Sequence, residues 1–306
     1  MTLKGLRHYL NTRGGWFFFL SSRGLLRWMD DERYIRRVYR YVLGKELNLE
    51  NPRTFNEKIQ WLKLYARDPG CTRLVDKYAV RDFVSERLGE GWCVPLVGGP
   101  WEHFDEIDFD ALPEQFVLKC THDSGGLVIC RDKQRLDREA AKKKLERCLK
   151  RNYYWANREW PYKNVPPRIL AEQYLQDGDN PNLNVYKILN FDGVPTIIQT
   201  IQNDKTSEES IDYFDVEWKL LPMKQNFPNS AHPLPRPQTL PQMLEAAEKL
   251  SAGFPLLRTD FYECNGRPWF SEITLYSDTG LGVFEPEDWD ARLGELIPLP
   301  KEKKKP

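Results

Sequence analysis

Apolar positions recur at helical spacing in the first third of the chain and at strand spacing later. Between residues 30 and 65, Tyr34, Val38, Tyr41 and Val42, then Ile59, Leu62 and Leu64, return among arginines and lysines at mostly three- and four-residue steps, predicting helices interrupted near Pro52. Thr54 and Glu57 supply a capping box for the second of these. Residues 72–88 carry the same period through Leu74, Val75, Ala79, Val80, Phe83, Val84 and Leu88, and Gly89 stops it. At residue 116 the period shortens: Phe116-Val117-Leu118 and Leu127-Val128-Ile129 are strand-like and enclose a Ser/Gly-rich turn, with Lys119 leaving the first run. A charged helix is predicted over 132–151, a strand over 168–175, and a hairpin of 184–189 with 194–202 around Asp192-Gly193. Residues 203–237 are polar and proline-rich and fit no period; 241–252 is amphipathic, with Met243, Leu244, Ala247 and Leu250 on one side. The early part of the chain thus reads as helical, and strand follows strand in the later half, which reads as a sheet.

The last strand pair organises the rest. Runs 256–262 and 268–275 flank Cys264-Asn265-Gly266, and Asn-Gly supplies the positive φ angles of a tight hairpin turn. Alternation puts Arg258 and Asp260 on one face of the first run, and Glu272 and Thr274 on one face of the second. If the two faces coincide, two carboxylates, a guanidinium and a hydroxyl converge, a set suited to a hard cation and the phosphates it bridges. Taken alone, a solvated hairpin face is the plainer account of these residues.

Composition narrows the classes. With 306 residues the chain can bury a large core, in one large or two moderate domains, and a formal net charge of +0 gives no support to bulk nucleic-acid binding. The six cysteines lack CxxC spacing and read as reduced structural thiols. No run has the length of a spanning helix or the apolar core of a cleavable signal, so the cytoplasm is the expected compartment. Trp16-Phe17-Phe18-Phe19-Leu20 complicates this, because Lys4, Arg7 and Arg13 precede it and Arg23 and Arg27 follow. Basic residues around an aromatic knot suit a peripheral anchor at the inner membrane face; packing on the main domain or on a partner is the plainer account of so short a knot.

Lys77 after Asp76, Lys119 before the Gly-rich turn, Glu172 before Tyr174-Leu175, Lys187, Arg258-x-Asp260 and Glu272-x-Thr274 follow one another in an order that resembles the ATP-grasp superfamily. More narrowly, NEKIQWLKL, LVDKYAVRDFV, DEIDFDALPEQFVLKCTHDSGG and TDFYECNGRPWFSEIT make the chain similar to the TupA-like ATP-grasp family of bacterial cell-surface polysaccharide genes. The resemblance implies an ATP-grasp fold with two α+β subdomains clamping the nucleotide. A helical arm would occupy 1–70, a linker helix and first strand 71–115, a lid 116–172, a metal-bearing subdomain 173–300 and a basic tail 301–306. It implies that Lys77, Lys119 and Lys187 meet the phosphates, that His122, Ser124, Gly125 and Gly126 form the loop over them, and that Glu172, Tyr174, Leu175 and Asp179 hold adenine and ribose. Arg258 would contact the transferred phosphoryl group with Lys187 and Lys119, while Asp260, Glu272 and Thr274 would bind magnesium.

The implied reaction is an ATP- and Mg2+-dependent carboxylate–amine ligation through an acyl phosphate, joining an amino acid to a small-molecule or saccharide substrate, with no nucleic-acid partner. The sequence departs from the family pattern in places. Val185-Tyr186-Lys187 lacks the acid of an Asp-Tyr-Lys triplet, Ser271 replaces a glycine, and Thr274 stands where the superfamily has Asn. Asp123 introduces a carboxylate that would repel phosphates unless it turns away. Three alternatives stay open: a glycosyltransferase using the Asp177-Gly178-Asp179 run as a metal motif, a kinase using the same phosphate groups, and a nucleotide-binding scaffold without turnover.

Overall fold

A computed structural model describes residues 14–178, 183–202 and 207–301. Five helices open it: α1 (Gly15–Ser22), α2 (Asp31–Leu43), α3 (Phe55–Tyr65), α4 (Cys71–Val75) and α5 (Val80–Leu88). The Asp30 carboxylate caps α2, Gly44 closes it at φ 71°, and Thr54 and Glu57 form the expected capping box on α3. The single helix predicted over 72–88 is instead broken between α4 and α5. Asp76 is extended, its carboxylate accepts from the Tyr78 N–H at 2.9 Å, and the Lys77 N–H donates to the Thr121 carbonyl at 3.0 Å, so tertiary bonds replace the helical ones.

An antiparallel sheet of order β1-β4-β2-β3 follows, built from β1 (Leu96–Trp101), β2 (Phe116–Cys120), β3 (Leu127–Cys130) and β4 (Ile169–Gln173). Phe116, Leu118, Cys120, Ile169 and Ala171 turn one face onto Ala141, Leu145 and Cys148 of α6 (Arg138–Leu149). Each fully buried Phe or Leu there contributes ~1.5–3 kcal/mol. The opposite face carries Val117, Lys119, Leu170 and Glu172. A short α7 (Tyr154–Asn157) and a 3₁₀ turn, Trp160–Asn164, lead back into β4.

The second sheet has order β10-β9-β5-β6-β7, from β5 (Val185–Phe191), β6 (Val194–Gln202), β7 (Ser210–Asp215), β9 (Leu256–Cys264) and β10 (Arg267–Thr274). Its two predicted tight turns form as type I′ conformations require, at Asp192 (φ 51°) with Gly193 (φ 79°) and Asn265 (φ 53°) with Gly266 (φ 68°). α8 (Leu240–Ser251) packs Leu240, Met243, Ala246, Ala247 and Leu250 into the main core, which also takes Ile188, Ile198, Leu257 and Phe261 from the strands. The segment that fits no period supplies edge strand β7 and β8 (Lys224–Gln225), which pairs with β11 (Phe284–Glu285) ahead of α9 (Asp288–Glu295). Among the described residues no helix is long and apolar enough to cross a membrane.

Candidate active site

Strand register aligns the site. Glu272 on β10 lies opposite Asp260 on β9, Asp260 opposite Lys187 on β5, Lys187 opposite Gln199 on β6 and Gln199 opposite Tyr213 on β7, a single row across all five strands. Arg258 and Thr274 form the next row. Coincidence of the two hairpin faces depends on one irregularity. From the Asn265-Gly266 turn the pairing runs regularly to Phe270 opposite Phe261, which would put Glu272 opposite Thr259, on the core side. A shift between Phe270 and Glu272 leaves Ser271 as the extra residue of a bulge and rotates Glu272 to the face of Asp260.

The charges in this row neutralise one another. Arg258 donates to both oxygens of the buried Asp260 carboxylate, Nε at 2.8 Å and Nη2 at 2.9 Å, and its Nη2 lies 3.6 Å from Glu272 Oε1. Burial alone would lower the Arg258 pKa, but Asp260 and Glu272 hold it raised. Burial pushes the Asp260 carboxyl up, opposed by Arg258 and Lys187. Glu272 is held below the usual carboxylate range: burial would raise it, and Lys77, Arg258, Lys187 and Lys119 outweigh that.

The other sheet supplies the facing wall. Lys119 opposes Leu170, so Glu172 is its diagonal neighbour on the same face, and Lys119 Nζ meets Glu172 Oε2 at 2.5 Å. Arg81 Nη1 stands 3.7 Å from Glu172 Oε1, and Lys119 Nζ is 6.0 Å from the centre of the Tyr262 ring, across the cleft on β9. Lys77 ties the walls together: Nζ donates to the Asp123 carbonyl at 2.9 Å and lies 3.9 Å from Glu272 Oε2. The broken helix makes this reach possible, with the buried Asp76 carboxylate held by Arg168 Nη2 at 2.7 Å.

The loop after β2 divides. Ser124 and Gly125 (φ 100°) are exposed at its tip. His122 is not there: it is buried, with Nε2 3.1 Å from the carbonyls of both Cys148 and Arg151, so it ties the loop to the end of α6. Since carbonyls only accept, Nε2 carries the proton, and burial lowers the ring's pKa. Gly126 is buried too, where a Cβ would sit 2.7 Å from that of Cys120. The Asp123 carboxylate also turns inward, onto the Arg151 guanidinium, which removes the expected phosphate repulsion. Tyr174 and Leu175 follow β4 as irregular backbone, and the Tyr174 hydroxyl accepts from Arg131 Nε at 3.1 Å. Asp179 lies outside the described residues. Asp177 accepts from the Asn265 N–H at 2.8 Å, so half of the Asp-x-Asp run braces the β9–β10 turn.

Periodicity passed over several participants. Arg81 sits one turn beyond the helix break, and Ser277 Oγ lies 3.5 Å from Arg258 Nη1. Ser277 begins a turn in which Asp278 (φ 47°) and Thr279 (φ 51°) are left-handed without being glycine. Polar residues of α3 fasten that turn: Gln60 donates to the Thr279 and Gly280 carbonyls, and the buried Lys63 donates to Thr279 O and Oγ1, both at 2.6 Å. Burial brings the Lys63 pKa down to about 8.

For a hard cation the oxygen donors are Glu272, Asp260 and the Thr274 hydroxyl. Glu272 is the least committed, its oxygens 3.6 and 3.9 Å from their cations; those of Asp260 keep lone pairs beyond the Arg258 contacts. Among the described residues no three acids, histidines or cysteines form a self-sufficient metal cluster. A cation here therefore fits as a shared ligand of these groups and a bound phosphate.

A sequence model of the TupA-like ATPgrasp family matches residues 57–298. No curated protein matches the chain. Among solved structures it is similar to D-alanine–D-alanine ligase from Bacillus anthracis complexed with ATP, at 15% identity and TM-score 0.38, covering 66% of this chain and 54% of that one. It is also similar to D-alanine–D-alanine ligase from Helicobacter pylori, at 14% identity and TM-score 0.41, covering 79% and 69%. The ATP-grasp ligase PsnB complexed with minimal precursor, Mg and ADP matches at 10% identity and TM-score 0.37, covering 72% and 57%. The chain spans about half the length of the first of these structures.

Proposed function

The chain belongs to the TupA-like ATP-grasp family, and from that premise we propose that it is an ADP-forming carboxylate–amine ligase that joins an amino acid to a cell-surface saccharide or its precursor. One observation carries the reading: the Lys187–Asp260–Glu272 row, with Arg258 beside it, faces Lys119, Glu172 and Lys77 across a cleft between two sheets. Phosphoryl transfer asks little covalent chemistry of a protein and much charge neutralisation and alignment, and this set of cationic and acidic side chains on two facing surfaces suits that demand.

In this mechanism ATP lies between the sheets, with Lys77, Lys119 and the exposed N–H groups of Ser124 and Gly125 toward its phosphates and Glu172 with the Tyr174-Leu175 backbone toward the base. Asp260, Glu272 and Thr274 would hold magnesium, which when bound offsets phosphate charge. A substrate carboxylate oxygen attacks the γ-phosphorus while the bond to the ADP oxygen breaks, and Arg258 and Lys187 balance charge on the transferring group. The amine then attacks the acyl carbon, phosphate leaves with the bonding pair, and the amine surrenders its extra proton to solvent. The lid loop excludes water meanwhile. Since ATP is the energy source, the cytoplasm is the compartment in which this enzyme works.

The test is phosphate release from ATP in the presence of candidate amino acids and uronic acids, together with thermal stabilisation by ATP, ADP and UDP-sugars, each with and without magnesium. The reading requires magnesium-dependent stabilisation by ATP or ADP, and phosphate release that needs both co-substrates. Stabilisation by a UDP-sugar alone would make the protein a glycosyltransferase; release to a hydroxyl acceptor without an amine would make it a kinase.

A further inference from the structure

The aromatic knot near the N-terminus is half buried and half presented. Phe17 and Phe18 pack inward, their ring centres 5.5 and 6.2 Å from Tyr41 and that of Phe17 5.2 Å from Tyr34. Trp16 and Phe19, one turn apart, lie on the other side of α1 edge to face at 5.8 Å, with Arg23 5.3 Å over the Phe19 ring. In the turns that follow, Leu25 is 58% exposed and Trp28 78%, and Trp16 is 58% exposed. Three large apolar side chains this open within thirteen residues cost solvation in water unless something covers them.

The charge around them is segregated. Residues 14–42 hold six arginines and three acids, within a chain whose formal net charge is +0. All three acids are engaged internally: Asp30 caps α2, Asp31 takes Arg67 and Tyr154 at 2.7 and 2.6 Å, and Glu32 takes Arg36 and Tyr65 at 2.9 Å each. Arg36 is held by Glu32 and the Leu47 carbonyl, and Arg40 reaches Glu46 at 3.0 Å, while the other four arginines are exposed. Arg33, Arg37 and Arg40 are exposed at four- and three-residue spacing on α2, and Arg37 Nη1 lies 3.2 Å from Met29 Sδ, bringing that row beside the Trp28 turn.

We propose that this face, with Trp16, Leu25 and Trp28 at its centre and Arg23, Arg33 and Arg37 around them, docks the protein on an anionic lipid bilayer. Indole rings have an apolar body and a polar N–H and settle at the headgroup level, while arginines pair with lipid phosphates there. A protein partner of ordinary composition would not call for exposed arginines clustered near exposed indole rings; an anionic surface does. Contact is superficial, as an eight-residue α1 is too short to span. The proposal deepens the location of the enzyme and does not depend on its being a ligase.

Co-sedimentation of the full chain with phosphatidylcholine vesicles, with and without phosphatidylglycerol, at low and high salt, is the test. Binding should require phosphatidylglycerol and weaken with salt. Arg33→Gln should weaken it about five-fold, and the double variant Leu25→Ser, Trp28→Ser about ten-fold or more. Both variants should keep the wild-type melting temperature and any stabilisation by ATP, because the altered side chains are exposed and remote from the cleft; this separates failure of the docking idea from failure of the ligase reading. Wild-type protein that ignores phosphatidylglycerol overturns the proposal. So does sedimentation unchanged in both variants, or a concentration-dependent dimer abolished by the double variant with no vesicle binding, which would give the face to a second copy.

Discussion

Replacing Glu272 by Gln removes one charge while keeping the side chain's shape. In the wild-type chain its oxygens stand 3.6 Å from Arg258 and 3.9 Å from Lys77. The side chain is 38% exposed, so solvent screening reduces the two contacts to about 1 kcal/mol together. The unliganded variant should therefore melt about 2 °C lower at most. Ligand binding should change in a more telling way. Without Glu272 the cations Lys77, Arg258, Lys187 and Lys119 are less neutralised, so metal-free ATP should bind at least as well as before. A nucleotide–magnesium complex at a hundred times its Kd adds about 2.7 kcal/mol, which in a chain of this size is about 5 °C; in the variant that magnesium-dependent increment should vanish. Differential scanning fluorimetry with ATP, with and without magnesium, reads both effects. A variant that keeps the magnesium increment would refute the assignment of Glu272 to the metal.

Three further outcomes follow from contacts elsewhere in the structure. Lys119→Met leaves Glu172, only 10% exposed at its side chain, with Arg81 at 3.7 Å as its remaining cation; the cost should be about 2–3 kcal/mol by urea denaturation, with stabilisation by ATP lost as well. Lys63→Met leaves the Thr279 hydroxyl without its 2.6 Å donor while Gln60 still serves the carbonyl, so unfolding should become easier by about 2 kcal/mol. The buried His122 has a folded pKa below its ordinary 6.5, so the unfolded chain binds the proton more readily. Its neutral form gives full stability above about pH 6.5, and stability falls as pH drops below that value. His122→Gln, which keeps a donor for the two carbonyls, should flatten the melting temperature between pH 6.5 and 5 relative to wild type; an unchanged slope would show that other groups set it.

Much of the fold is legible from period and turn chemistry. The capping box at Thr54, the two turns at Asp192-Gly193 and Asn265-Gly266, and the amphipathic α8 all follow from residues within a few positions of one another. The loop after β2 was legible only as a glycine-rich turn. Which of its members face a ligand is decided by Arg151 and by the carbonyls ending α6, which draw Asp123 and His122 inward. Residues 203–237 hid edge strand β7 because its order comes from pairing with β6, not from its own alternation.

The remaining surprises share a location. Helical period fails at Asp76-Lys77, strand alternation fails at Ser271, and the right-handed backbone fails at Asp278-Thr279. Each failure aims a side chain at the same cleft: Lys77 toward Glu272, Glu272 toward Arg258, and Ser277 toward Arg258. Left-handed Asp and Thr cost on the order of 1 kcal/mol each or more, and the Gln60 and Lys63 bonds to that turn offset it. A chain selected for packing alone would keep its periods, since each break gives up regular hydrogen bonds. Three breaks converging on one charged row are therefore independent support for a site there, resting on backbone geometry and not on which residue types fill it.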